Sequence, residues 1–122
     1  MTIPNESLSS ARVFYPKYNK KELIERIKGK LEKLNQQLNL TKVVLFGSYA
    51  KGNYTAASDV DLLVVYSGKP EEDPFKLVKR TLEISGLEPH IYREEEYVDA
   101  KEKVRKMEKG GVVLWKNPKK QR

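Results

Sequence analysis

Val44-Leu45-Phe46-Gly47-Ser48-Tyr49-Ala50-Lys51-Gly52, then, after a short loop, Ser58-Asp59-Val60-Asp61-Leu62-Leu63-Val64-Val65, is the stretch on which the reading of this chain turns. An apolar run ends in Gly-Ser, a small polar turn follows, and a second apolar run opens with two aspartates. Strand side chains alternate faces, so Asp59 and Asp61 point the same way and Val60 and Leu62 the other. Two carboxylates side by side repel each other, and a cation between them offsets that cost. Hard oxygen ligands of this kind suit Mg²⁺ or Mn²⁺. An Asp-x-Asp pair also serves as a plain polar strand entrance. Ten residues upstream of Asp59, counted between the two, lies Ser48. Gly47 lets a ligand approach the backbone closely. Ser48 offers a hydroxyl and, at a turn into a short helix, N–H groups suited to a phosphate. A phosphate cradle facing two metal-binding carboxylates is equipment for phosphoryl or nucleotidyl transfer.

The bulk of the chain sets limits on this reading. Its 122 residues make one domain with room for its own core. The expected division is an N-terminal extension over 1–18, a catalytic-type domain over 19–115 and a basic tail over 116–122. No apolar run approaches the ~20 residues that cross a bilayer, and Met1 to Ser7 lack the pattern of a signal peptide. With no cysteine, disulfides and thiolate metal sites are excluded. A cytoplasmic location follows by default. The net charge of +7 favours polyanionic partners, nucleotides or RNA among them, although a solvated surface accounts for most of these charges equally well.

Gly47-Ser48, ten residues, then Asp59-Val60-Asp61 resembles the signature of the polymerase-β-like nucleotidyltransferases, and most of all the minimal nucleotidyltransferase (MNT) proteins. The resemblance covers nearly all of the chain from about residue 20. It implies a two-layer α+β (mixed α/β) fold, a short mixed sheet with helices on one face. It also implies transfer of a nucleoside monophosphate from an NTP, ATP foremost, with Asp59 and Asp61 holding Mg²⁺ or Mn²⁺. Gly47 and Ser48 then grip the β- and γ-phosphates, with Lys51 and Ser58 as further phosphate contacts. Lys51 reads equally as a solvent-facing lysine, and Ser58 more readily as a loop cap. Larger relatives carry an extra domain for base or acceptor, and the resemblance to the minimal proteins implies a chain that works without it. In the family that role falls to a separate helical HEPN protein, in pairs that resemble toxin–antitoxin systems, which implies a homo- or hetero-oligomer.

A third carboxylate normally completes the family's activating metal site. The matching strand here is Leu87-Glu88-Pro89-His90-Ile91-Tyr92, in which Glu88, His90 and Tyr92 share a face. The expected aspartate position falls on His90, the chain's single histidine, with Glu88 two residues earlier. Three readings stay open. His90 acts as ligand or general base, Glu88 supplies the oxygen, or the site is degenerate and the chain works as a nucleotide-binding or antitoxin module that docks a partner.

The remaining pattern supplies the scaffold. Asn19 is a candidate N-cap for a helix to about Leu38, with a stripe of Leu23, Ile24, Ile27, Leu31, Leu34 and Leu38. Strands are expected over 42–46, 59–66, 87–92 and 112–115. Asp73-Pro74 opens a helix to about Ile84 that buries Phe75, Val78 and Leu82, and a third helix is expected over 94–109. Tyr49 and Tyr54 read as packing residues ahead of base-stacking ones, Trp115 as core, and Arg93-Glu94-Glu95-Glu96 as a helix start.

Overall fold

The computed structural model describes residues 18–117; the apolar patch at Val13-Phe14-Tyr15 and the end of the basic tail lie outside them. The leucine stripe forms helix α1, Lys20–Gln37, whose Leu23, Ile27, Leu31 and Leu34 are buried. Asn19 caps it, its side chain accepting from the Glu22 N–H at 2.7 Å. Strand β1, Leu40–Phe46, leads into a four-residue helix α2, Ser48–Lys51. Strand β2, Val60–Tyr66, follows, then α3, Pro74–Leu82, capped by Asp73 as expected. Next come strand β3, Leu87–Arg93, helices α4, Glu94–Asp99, and α5, Lys101–Glu108, and strand β4, Val112–Lys116.

The four strands form one mixed sheet in the order β3-β2-β1-β4. β1 runs antiparallel to both β2 and β4, and β2 parallel to β3. Val43, Leu45, Val60, Leu62, Val64 and Leu87 pack with α1 and α3 in the main core. Val44, Leu63 and Val65 face the other way and meet Val104, with Tyr97, Ala100 and Met107 packed around them. The mixed α+β class is as expected, but helices on one face alone is too narrow. α1 and α3 cover one face, and α4 and α5 cover part of the second.

Three further expectations need correction. Phe75 is 44% exposed, because the buried side of α3 is Leu77, Val78, Thr81 and Leu82. The expected single helix over 94–109 is two, since Ala100 leaves helical angles at ψ 31°. That one-residue kink turns the Tyr97 hydroxyl onto Glu108, to which it donates at 2.6 Å, and brings Lys42 Nζ within 3.2 Å of the same hydroxyl. Trp115 is only half-buried against the core. Where β4 begins, a side chain on Gly111 would strike Val44 and the Leu45 carbonyl, so glycine permits that close approach to β1.

Candidate active site

The β1–α2 turn and the start of β2 meet at one end of the sheet, where Phe46 pairs with Asp61 across the antiparallel ladder. Gly47 carries φ 79° and ψ −155°, a region essentially confined to glycine. A Cβ added there would overlap Asp61 Oδ2, so the missing side chain of Gly47 is what lets the Asp61 carboxylate lie against the turn. In α2 the first backbone bond runs from the Lys51 N–H to the Gly47 carbonyl at 3.1 Å, leaving the N–H groups of Ser48, Tyr49 and Ala50 without a partner inside the helix.

The parallel pairing of β2 with β3 places Glu88 opposite Asp61 and His90 opposite Leu63. His90 Nε2 lies 3.5 Å from Asp61 Oδ1, too far for a strong hydrogen bond, and that buried nitrogen has no hydrogen-bond partner. Phe46 meets the imidazole edge to face, with ring centres 5.0 Å apart. Burial pushes the Asp61 carboxyl above its ordinary 3.8; His90 opposes the rise, and the charges of Asp59 and Glu88 add to it. Asp59 stands exposed just ahead of β2, and Glu88 is exposed on β3. Asp61 is thus a half-buried carboxylate with two negative neighbours and one unsatisfied imidazole nitrogen.

The other candidates sort by contact. Ser58 Oγ accepts the Thr55 N–H at 2.8 Å and so closes its own loop. Lys51 is exposed at the end of α2. Tyr49 and Tyr54 stack on each other 4.3 Å apart, and Tyr49 is buried. The Tyr54 hydroxyl accepts the Lys20 N–H at 3.0 Å, while Lys20 Nζ donates to the Ala50 carbonyl at 2.7 Å. These tyrosines anchor α2 to the head of α1. Arg93 to Glu96 is a helix start, with the Arg93 N–H donating to Glu96 Oε1 at 2.9 Å. Phe46 is the site residue that sequence reasoning missed; its register opposite Asp61 is the signal that points to it.

A cavity of about 400 Å³ is lined by Gln36, Gln37, Lys69, Pro70, Glu71, Glu72 and Leu77. It sits at the opposite end of the sheet and holds none of the acids just described. Among the described residues, no three His, Cys, Asp or Glu side chains converge to hold a metal ion by themselves. The residues do fit an ion that brings oxygens with it. Asp61 offers a carboxylate against the Gly47 cradle, and His90 an orphaned nitrogen. Mg²⁺-type sites commonly use one or two carboxylates, with substrate phosphates and water completing the shell.

Residues 24–114 match the nucleotidyltransferase domain family. This chain belongs to that family. As a nucleotidyltransferase domain it is 42% identical over 45 residues to a candidate protein adenylyltransferase of Methanocaldococcus jannaschii, across 37% of this chain and 40% of that protein. A second candidate protein adenylyltransferase of the same organism is 39% identical over 61 residues, across 48% and 62%. The chain thus spans about half the length of these curated relatives. Among solved structures, a candidate nucleotidyltransferase from Sulfolobus solfataricus superposes at TM-score 0.58 with 24% identity, over 94% of both chains. A toxin–antitoxin structure with AMP-PNP superposes at 0.50 with 23% identity, over 75% of both. These two likenesses establish the nucleotidyltransferase fold.

Proposed function

We propose that this chain is a minimal nucleotidyltransferase that moves AMP from ATP onto a protein acceptor, using Mg²⁺ or Mn²⁺ held by Asp59 and Asp61. We further propose that it works as the MNT half of a pair with a HEPN-type helical protein. The observation that carries the reading is the Asp61 carboxylate seated against Gly47, at the mouth of a turn whose first N–H groups have no partner within α2. The adenylyltransferase names of the partial relatives support the choice of ATP and of a protein acceptor. A fold neighbour that is a toxin–antitoxin with AMP-PNP supports the paired arrangement.

In this reading an acceptor hydroxyl attacks the α-phosphorus, a new O–P bond forms, the α–β bridging bond breaks and pyrophosphate leaves. The bound cation supplies charge neutralisation on the triphosphate. Gly47 and Ser48 orient the β- and γ-phosphates, and Asp59 and Asp61 fix the side from which the metal–nucleotide approaches. The hydroxyl proton passes to Glu88, the basic group that β3 sets opposite Asp61. The test is ATP labelled at its α-phosphate, incubated with the chain, a divalent cation and the partner. Label should appear on the partner and vanish with Asp59→Asn plus Asp61→Asn; undiminished labelling by that double variant would sink the proposal.

A second reading has its own observation. An imidazole 3.5 Å from Asp61 stands where the family's third carboxylate is expected, which favours a degenerate site that binds nucleotide and silences its partner by docking. The double Asp variant then still silences the partner. Silencing lost while the complex persists counts for catalysis.

A further inference from the structure

We propose that His90 Nε2 is a metal ligand in this chain, and that it makes the site select a first-row transition ion such as Mn²⁺ over Mg²⁺. The inference rests on the nucleotidyltransferase reading and concerns which ion that site takes. Four observations carry it. His90 Nε2 is buried and has no hydrogen-bond partner, unlike the usual structural imidazole, whose buried nitrogen is satisfied. It faces Asp61 Oδ1 across 3.5 Å, within the roughly 3–4 Å that one ion bridges when it lies about 2.1 Å from each of two ligands. Phe46 packs edge to face against the ring at 5.0 Å and so restricts its rotation. Finally, among the described residues the acids Asp59 and Glu88 act on Asp61 alongside His90, so the negative charge a divalent ion needs is gathered there.

Chemistry then chooses the ion. Mg²⁺ dehydrates reluctantly and takes oxygen ligands, whereas imidazole suits transition ions. Mn²⁺ tolerates an imidazole beside carboxylate and phosphate more readily than Mg²⁺ does, so an Asp–His–phosphate shell favours Mn²⁺ over Mg²⁺ where an all-oxygen shell would serve both. The expected aspartate at this position would erase that preference.

The experiment uses the untagged full chain, in which His90 is the single histidine, so ¹⁵N-histidine labelling marks one side chain. Mn²⁺ is bound together with inorganic tripolyphosphate, which contains no nitrogen, and read by pulsed EPR. The expected result is a nitrogen coupling that changes character on ¹⁵N-histidine labelling and is absent from His90→Asp. Calorimetry with Mn²⁺ and with Mg²⁺ should show the Mn²⁺-to-Mg²⁺ affinity ratio falling about tenfold or more in His90→Asp. Absence of any label-dependent coupling in the wild-type chain overturns the assignment, and it needs no variant to fold. If Mn²⁺ then still binds in a manner weakened by Asp61→Asn, the nucleotidyltransferase reading survives alone. If binding of both ions is indifferent to Asp61→Asn, both readings fall.

Discussion

Replacing Gly47 by alanine puts a methyl group where Asp61 Oδ2 lies, with Asp61 Cγ and Cβ at 3.2 and 3.3 Å from it. Two costs add. The backbone there, at φ 79° and ψ −155°, costs a side-chain-bearing residue about 1–3 kcal/mol, and the displaced carboxylate adds about 1 kcal/mol of overpacking. A loss of about 2–4 kcal/mol lowers Tm by roughly 8–16 °C in a domain of this size. Gly52 is the control. Its φ is 85°, but an added Cβ meets nothing within 4 Å, so Gly52→Ala carries a backbone cost of about 1–2 kcal/mol alone. In an Asp61→Ala background the contacts of the Gly47 methyl with Oδ2 and Cγ disappear, and its cost should fall by about 1 kcal/mol. Chemical denaturation of the four chains of that cycle measures the coupling. A Gly47→Ala cost identical in both backgrounds, and no larger than that of Gly52→Ala, would refute the claim that Gly47 exists to seat Asp61.

Other expectations follow from the same geometry. The folded chain holds the Asp61 proton more tightly than the unfolded chain does, because its carboxyl is raised above 3.8 by burial and by Asp59 and Glu88. Ionised Asp61 therefore costs stability above its folded pKa, and the cost disappears as pH falls below the unfolded value. Without divalent ions, Asp61→Asn should then melt higher than wild type at pH 7.5, with the gap closing towards pH 4; a gap that widens in acid contradicts this. On the second face, Lys42 Nζ pairs with Glu108 Oε2 at 3.0 Å. Burial alone would lower the Lys42 pKa, and its bonds to Glu108 and Tyr97 more than offset that. Glu108→Ala leaves this lysine partly buried beside Tyr97 alone and should cost about 1–3 kcal/mol by urea unfolding.

The parts of the fold written in local pattern were legible before any coordinates. The leucine stripe with Asn19 at its head became α1, and Asp73-Pro74 became the start of α3, because caps and periodicity act within a few residues of themselves. Alternation put Glu88 and His90 on one face, but it names a face and never a neighbour. Only the parallel pairing of β2 with β3 sets Glu88 opposite Asp61 and turns His90 back onto it. Long-range pairing also hid the second layer. Tyr97, Ala100, Val104 and Met107 have helical spacing on an apparently continuous helix, and their cover over Val44, Leu63 and Val65 depends on the kink at Ala100. Phe75 misled for the opposite reason: an apolar residue in the first turn of α3 lies beyond the reach of the core, and Lys79 Nζ sits over its ring instead, 5.5 Å from the ring centre.

The central claim is that the Gly47 turn, Asp59 and Asp61 form a metal-dependent nucleotide site. Calorimetric titration of the chain with AMP-PNP, in the presence of Mn²⁺ or Mg²⁺ and again in EDTA, tests it directly. Binding should require the divalent ion and be lost in Asp59→Asn plus Asp61→Asn, with the double variant still folded by circular dichroism. Binding that persists unchanged in that variant, or that ignores EDTA, would contradict it.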